Sequence, residues 1–89
     1  MTEAVFDRRG KLVGYRNNRE LYDSKWKKIA TIIHNQIIDT SGKTIARVIG
    51  NLIQSADGAS AVPITKAQNQ YPYTSATTAT AFYLLNKHN

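Results

Sequence analysis

The octapeptide Asp39-Thr40-Ser41-Gly42-Lys43-Thr44-Ile45-Ala46 joins a tight turn to the start of a strand. Asp-x-x-Gly suits a type I turn closed by a left-handed residue, a conformation that costs glycine nothing because it has no Cβ. A turn of this kind with a glycine-centred bulge commonly connects two antiparallel strands. The β-branched pair Thr44 and Ile45 then favours an extended chain.

The pattern recurs at a spacing of sixteen residues. Copies 6–21, 22–37 and 38–53 align without gaps, and a fourth begins at Gln54 and reaches Gly58 before fading. Asp7, Asp23 and Asp39 share one column. Gly10, Trp26, Gly42 and Gly58 share another, and Lys11, Lys27 and Lys43 follow in the next. Val13, Ile29 and Ile45 precede the small residues Gly14, Ala30 and Ala46, and each copy closes on Leu21, Ile37 or Ile53. A second turn falls near Asn17-Asn18, His34-Asn35 and Gly50-Asn51, residues that tolerate φ > 0 in tight hairpins.

Each copy therefore reads as two strands and two turns. The long strands are expected at 12–16, 28–33 and 44–49, the short ones at 20–22, 36–38 and 52–54. Apolar residues fall on both parities in the second and third copies, which predicts strands covered on both faces. Trp26 in the glycine column predicts a different conformation for that turn. The fold class is mainly β: three to four sixteen-residue hairpin repeats in a radial, flower-like arrangement, with a short C-terminal helix. One domain spans 1–89, with the repeats at 4–58, a loop at 59–73 and a helical tail at 74–89. Pro63 and Pro72 mark the loop, with one strand expected at 61–65. Thr74 or Ser75 is a suitable N-cap for a helix over 75–87, although Thr77, Thr78 and Thr80 favour strand.

The reiterated Asp-x-x-Gly-Lys-x-Ile-(Gly/Ala) unit resembles that of the small bacterial domains called four-fold β-flowers. The resemblance covers residues 5–58 and is best at 39–46 and good at 7–14, while Trp26 departs from it. It implies a fold of radially arranged hairpins and no activity.

Composition narrows the function classes. With 89 residues, the chain buries only about 60–65% of its unfolded surface. No cysteine is present, which excludes disulfide scaffolds, thiol catalysis and cysteine-based zinc sites. A small unstapled core makes a homo-oligomer the expected state. No leader or membrane span is expected, because the longest near-apolar run, 29–33, is far short of the ~20 residues a span needs. The expected location is the cytoplasm.

The formal net charge is +6, from twelve basic and six acidic residues. Seven of the basic residues, Arg8, Arg9, Lys11, Lys25, Lys27, Lys28 and Lys43, lie on the Asp-x-x-Gly turns. In a radial fold those turns share one rim, and Trp26 stands within Lys25-Trp26-Lys27-Lys28. An aromatic ring among cations suits a base with its phosphates. The plainer reading is a solvated rim whose lysines guard strand edges, with Trp26 packed on a neighbouring hairpin. Asn17, His34, Asn35 and Asn51 gather at the opposite end. Turn asparagines ordinarily bond their own backbone, but these amides with His34 also suit a polar ligand.

Catalytic signals are thin. His34 and His88 are the only histidines, no serine stands in an elbow motif, and a lysine follows each turn aspartate. No metal, cofactor or enzymatic activity is expected. The expected function is capture of a phosphate-bearing ligand, a nucleotide or nucleic acid, by the basic rim. The alternative is an interaction module that docks a protein partner through the aromatic tail segment, Tyr71, Tyr73, Phe82 and Tyr83.

Overall fold

The computed structural model describes residues 1–86. Eight strands follow one another as a single antiparallel sheet in the order β1 to β8: Thr2–Phe6, Leu12–Asn17, Glu20–Asp23, Lys28–Ile33, Gln36–Ile38, Thr44–Ile49, Leu52–Ser55 and Ala61–Pro63. Two helices close the described chain, α1 (Ile64–Gln70) and α2 (Ala76–Asn86). The three long and three short strands expected from the repeat are all present. β1 was not foreseen, because it precedes the first full copy, and β8 completes the fourth hairpin.

The sixteen-residue period becomes a fourfold packing motif. Val5 lies opposite Gly14, Leu21 opposite Ala30, Ile37 opposite Ala46, and Ile53 opposite Val62. Each hairpin thus sets a larger side chain against a smaller one at the centre of the buried face. The turns that link successive hairpins are tied in the same rhythm: the carbonyls of Arg19, Asn35 and Asn51 each accept an N–H, from Ile32, Val48 and Ile64, at 2.8 Å.

A register shift follows Val5, Leu21 and Ile37, and it explains the apolar residues on both parities. A bulge sets two residues against one, so neighbouring side chains share a face. Val13, Ile29 and Ile45 are the extra residues, and they pack on the core beside Gly14, Ala30 and Ala46. The expected double-sided cover is therefore absent: on the outer face Ile49 is 53% and Leu52 44% exposed.

The buried face surrounds α2. Five consecutive residues, Thr78 to Phe82, are fully buried, and at 3.6 residues per turn they cover every side of the helix. Small side chains let the sheet approach closely, and the two buried threonines that argue against a helix have hydrogen-bond partners. Thr80 donates its hydroxyl to the Ala76 carbonyl at 2.8 Å, while Thr78 accepts from the Arg16 guanidinium at 2.6 Å. Ser75 caps the helix by accepting the Thr78 N–H at 3.3 Å. The expected helix 75–87 thus begins at Ala76, and its last residue, Lys87, lies outside the described residues, as does His88.

Phe82 fixes the position of α2. A Cβ on Gly14 would overlap the Tyr22 carbonyl oxygen and lie 2.8 Å from Phe82 Cε1, so only glycine leaves room for the ring. Burying such a side chain stabilises by roughly 2–3 kcal/mol. The sheet and α1 together enclose α2, and a sheet that wraps a helix has to curl, which is compatible with a radial arrangement of the four hairpins.

The stretch 59–73 is not simply a loop. Pro63 has no N–H for a further ladder bond, and its φ of −62° leads directly into α1. Ile64 and Ala67, three residues apart, are buried. Tyr71 is buried against Phe82, with ring centroids 6.1 Å apart, and the Gln70 carbonyl accepts the Arg8 N–H at 2.9 Å.

Candidate functional site

In an up-and-down sheet, alternate turns lie at opposite ends. The four turns 7–11, 23–27, 39–43 and 55–60 therefore share one end, and those at 18–19, 34–35 and 50–51 the other. The first three rim turns are built alike. Asp7 Oδ1 accepts the N–H groups of Arg9 and Lys11, Asp23 Oδ1 those of Lys25 and Lys27, and Asp39 Oδ1 those of Ser41 and Lys43, all at 2.9–3.0 Å. Each carboxylate is directed at its own backbone. The basic side chains project from the resulting loops, and Arg8, Arg9, Lys11, Lys25, Lys27, Lys28 and Lys43 are all exposed.

The fourth turn departs. Ser55 replaces the aspartate, the loop is one residue longer, and Asp57 accepts from the Ser55 hydroxyl and the Ala59 N–H. That turn carries no cation, so the basic charge occupies three turns of four.

Trp26 adopts the glycine conformation. Its φ is +67°, beside +82° at Gly10 and +90° at Gly42, and its N–H reaches the Asp23 carbonyl at 3.0 Å as theirs reach Asp7 and Asp39. The expectation of a different turn is overturned: the hydrogen bonds of the aspartate dictate the loop, and the indole has to comply. The ring stacks on Tyr15 with centroids 3.8 Å apart and 9° between planes, and Tyr22 approaches at 5.8 Å. It still remains 54% exposed. Tyr15 covers one face of the indole, so that exposure belongs to the other face and the edge.

The surrounding charges are not equivalent. Lys28 pairs with Glu20 at 3.5 Å, the one ion pair among the described residues. The Tyr22 hydroxyl donates to Glu20 at 2.7 Å. That bond, and then the Lys28 charge, hold the Glu20 carboxyl below its ordinary value, while the Tyr22 hydroxyl is pushed up by the same bond. Lys25 and Lys27 have no carboxylate partner among the described residues. Between turns 23–27 and 39–43 lies a cleft of about 400 Å³ lined by Asp23, Lys27, Lys28, Ile29, Asp39, Thr40, Leu85 and Asn86.

The opposite end is built by backbone. Asn18, His34 and Gly50 all have positive φ, at 57°, 50° and 59°. Asn17 is not a turn residue but the last of β2, paired with Glu20. Asn35 and Asn51 bond through their carbonyls rather than their side-chain amides. Backbone conformation and backbone hydrogen bonds thus give these turn residues a local role. Among the described residues no three His, Cys, Asp or Glu side chains converge as a metal site would require.

Sequence reading missed Tyr15, Tyr22 and Glu20. Tyr15 and Tyr22 are direct cross-strand partners about the turn at Asn18-Arg19. That turn placement alone sets the two rings side by side under Trp26.

Four antiparallel hairpins packed on a helix, with three of the four turns at one end closed alike by an aspartate, define a β domain of hairpin repeats. The chain belongs to the 4-fold beta flower family, whose model matches residues 3–87. No curated protein and no solved structure matches it. No described helix is long and apolar enough to cross a membrane.

Proposed function

We propose that this protein is a non-enzymatic binding domain that captures a phosphate-bearing ligand, a nucleotide or nucleic acid, at the turn 23–27. The observation that carries this reading is Trp26: a bulky residue held at φ +67°, stacked on Tyr15 and more than half exposed between Lys25 and Lys27. Residues in such sparsely populated conformations concentrate at binding sites. A fixed indole offers a face to a base, and the two unpaired ammonium groups beside it attract phosphate. The other rim cations add long-range attraction for the same ligand.

Trp26 is the only tryptophan, so its emission reports on the site directly. Titration with a thymidine nucleotide and a short oligothymidylate at low salt is expected to quench it, with the effect weakening as salt rises. Trp26→Gly should preserve the turn and weaken binding of a labelled oligonucleotide about fivefold or more, from about 1–3 kcal/mol per stacked base. Absence of any salt-sensitive binding, or unchanged affinity in the Lys25→Ala, Lys27→Ala double variant, overturns the reading.

A second reading, docking of a protein partner, no longer favours the tail. Tyr71 and Phe82 are buried in the chain's own core and Tyr83 is half-buried, leaving Tyr73 exposed. It is favoured instead by Ile49 and Leu52, exposed and directly opposite one another on the outer face. Apolar docking would persist at high salt where phosphate binding fades. Native mass spectrometry of the intact protein reads both the expected homo-oligomer and any retained ligand mass.

A further inference from the structure

Resting on the phosphate-ligand reading above, we infer that the ligand is an extended single strand of nucleic acid laid along the rim from turn 7–11 to turn 39–43, with one base on Trp26. Hydrogen-bonded strands lie about 4.8 Å apart, so successive rim turns, two strands apart, are separated by roughly 10 Å along the sheet. A mononucleotide on Trp26 engages Lys25 and Lys27. It leaves Arg8, Arg9 and Lys11 on one side and Lys43 on the other without a partner. None of these six cations is paired with a carboxylate among the described residues. Their aspartates are turned into the loops, each accepting two backbone N–H groups. A chain of phosphates meets all three turns, and a single phosphate does not.

Two further observations select a single strand running over the turns. The cleft between the second and third turns is lined by Asp23 and Asp39 as well as Lys27 and Lys28, so it carries no net positive charge to draw a phosphate inside and away from the outer rim. The open face of Trp26 requires a base free to leave its own stack, which a duplex does not offer. The fourth turn, with Asp57 and no cation, marks one end of the track.

The test uses the full chain and Trp26 emission. The probes are thymidine monophosphate, oligothymidylates of increasing length, and a blunt duplex, each across a salt series. Affinity is expected to rise with strand length until three turns are spanned. The salt slope should then approach about −4 in log K against log salt, from roughly 0.7 per neutralised phosphate in single strands. For the monophosphate it should stay near −1. The Arg8→Ala, Arg9→Ala double variant is expected to weaken long strands several-fold and lower their slope by about 1, while the monophosphate loses far less, only the long-range attraction of the two charges. Equal affinity for monophosphate and long strands, or tighter binding of the duplex, overturns the track while leaving phosphate capture at Trp26 standing. Absence of binding by every probe overturns both.

Discussion

Turns 23–27 and 39–43 are the same object carrying different residues. In each, one aspartate oxygen accepts two backbone N–H groups at 2.9–3.0 Å, and the fourth residue sits in the left-handed region. In one that residue is Gly42, where the conformation is free. In the other it is Trp26, where it costs about 1–2 kcal/mol. Stacking on Tyr15 contributes about 0.5–1.5 kcal/mol beyond area burial. The two nearly cancel, so beyond the area that the ring buries the left-handed position itself gives no reason for a tryptophan there. What the substitution achieves is an exposed indole at a fixed position between two cations. The third turn shows the converse: where the first two have Arg9 and Lys25, it has Ser41, whose hydroxyl donates to Asp39 at 2.6 Å and reinforces the loop.

Moving the indole is the strongest way to break the comparison. Gly42→Trp introduces the strain without the support, because the positions equivalent to Tyr15 and Tyr22 are Thr31 and Ile38. A loss of about 1–2 kcal/mol is expected in urea unfolding. Unchanged stability would mean that the left-handed position carries no strain in this turn.

A double-mutant cycle sharpens it. Tyr15→Ala should cost about 1 kcal/mol more in the wild type than in the Trp26→Gly background, which isolates the stacked pair. Additive effects would place the ring contact outside the energetics of the turn. Trp26→Gly alone should lower stability by only about 1–2 kcal/mol, the burial of the covered part of the ring, because relief of strain offsets loss of the stack. A markedly less stable variant would make Trp26 a structural residue and remove the energetic reason for regarding it as a binding one.

The comparison also shows what a sequence displays. The repeat is a local hydrogen-bonding pattern, and local patterns read well: aspartate, glycine and lysine at fixed spacing located all three basic turns and six strands. Features that depend on pairing between strands read poorly. Placing one turn at Asn17-Asn18 rather than Asn18-Arg19 shifts the register and hides the opposition of Tyr15 and Tyr22. The bulges at Val13, Ile29 and Ile45 break alternation, so core residues counted as a second face. Helix α1 has seven residues, follows a proline at its N-cap position and lacks a side-chain cap, which leaves almost no signal. Helix α2 is enclosed on all sides, so its apolar residues form no stripe.

The smallest expected effect concerns Ser41. Its hydroxyl, followed by the Lys43 backbone N–H, holds the Asp39 carboxyl below its ordinary value. A carboxyl depressed in the folded state contributes stability above its unfolded pKa, near 3.9, and loses it as pH falls through the folded value. Removing the hydroxyl in Ser41→Ala should move the Asp39 titration upward, as followed by NMR of the side-chain carbonyl. Any difference in stability between variant and wild type that arises from this titration should be greatest at neutral pH and shrink below about pH 4, where the carboxyl is protonated in both unfolded chains. Ser41→Lys gives the third turn the cation that the second has at Lys25. If it raises oligothymidylate affinity while leaving the turn intact, the two turns differ by function rather than by fold. If affinity is unmoved, the serine was kept for the loop and the polyanion track does not extend past Lys43.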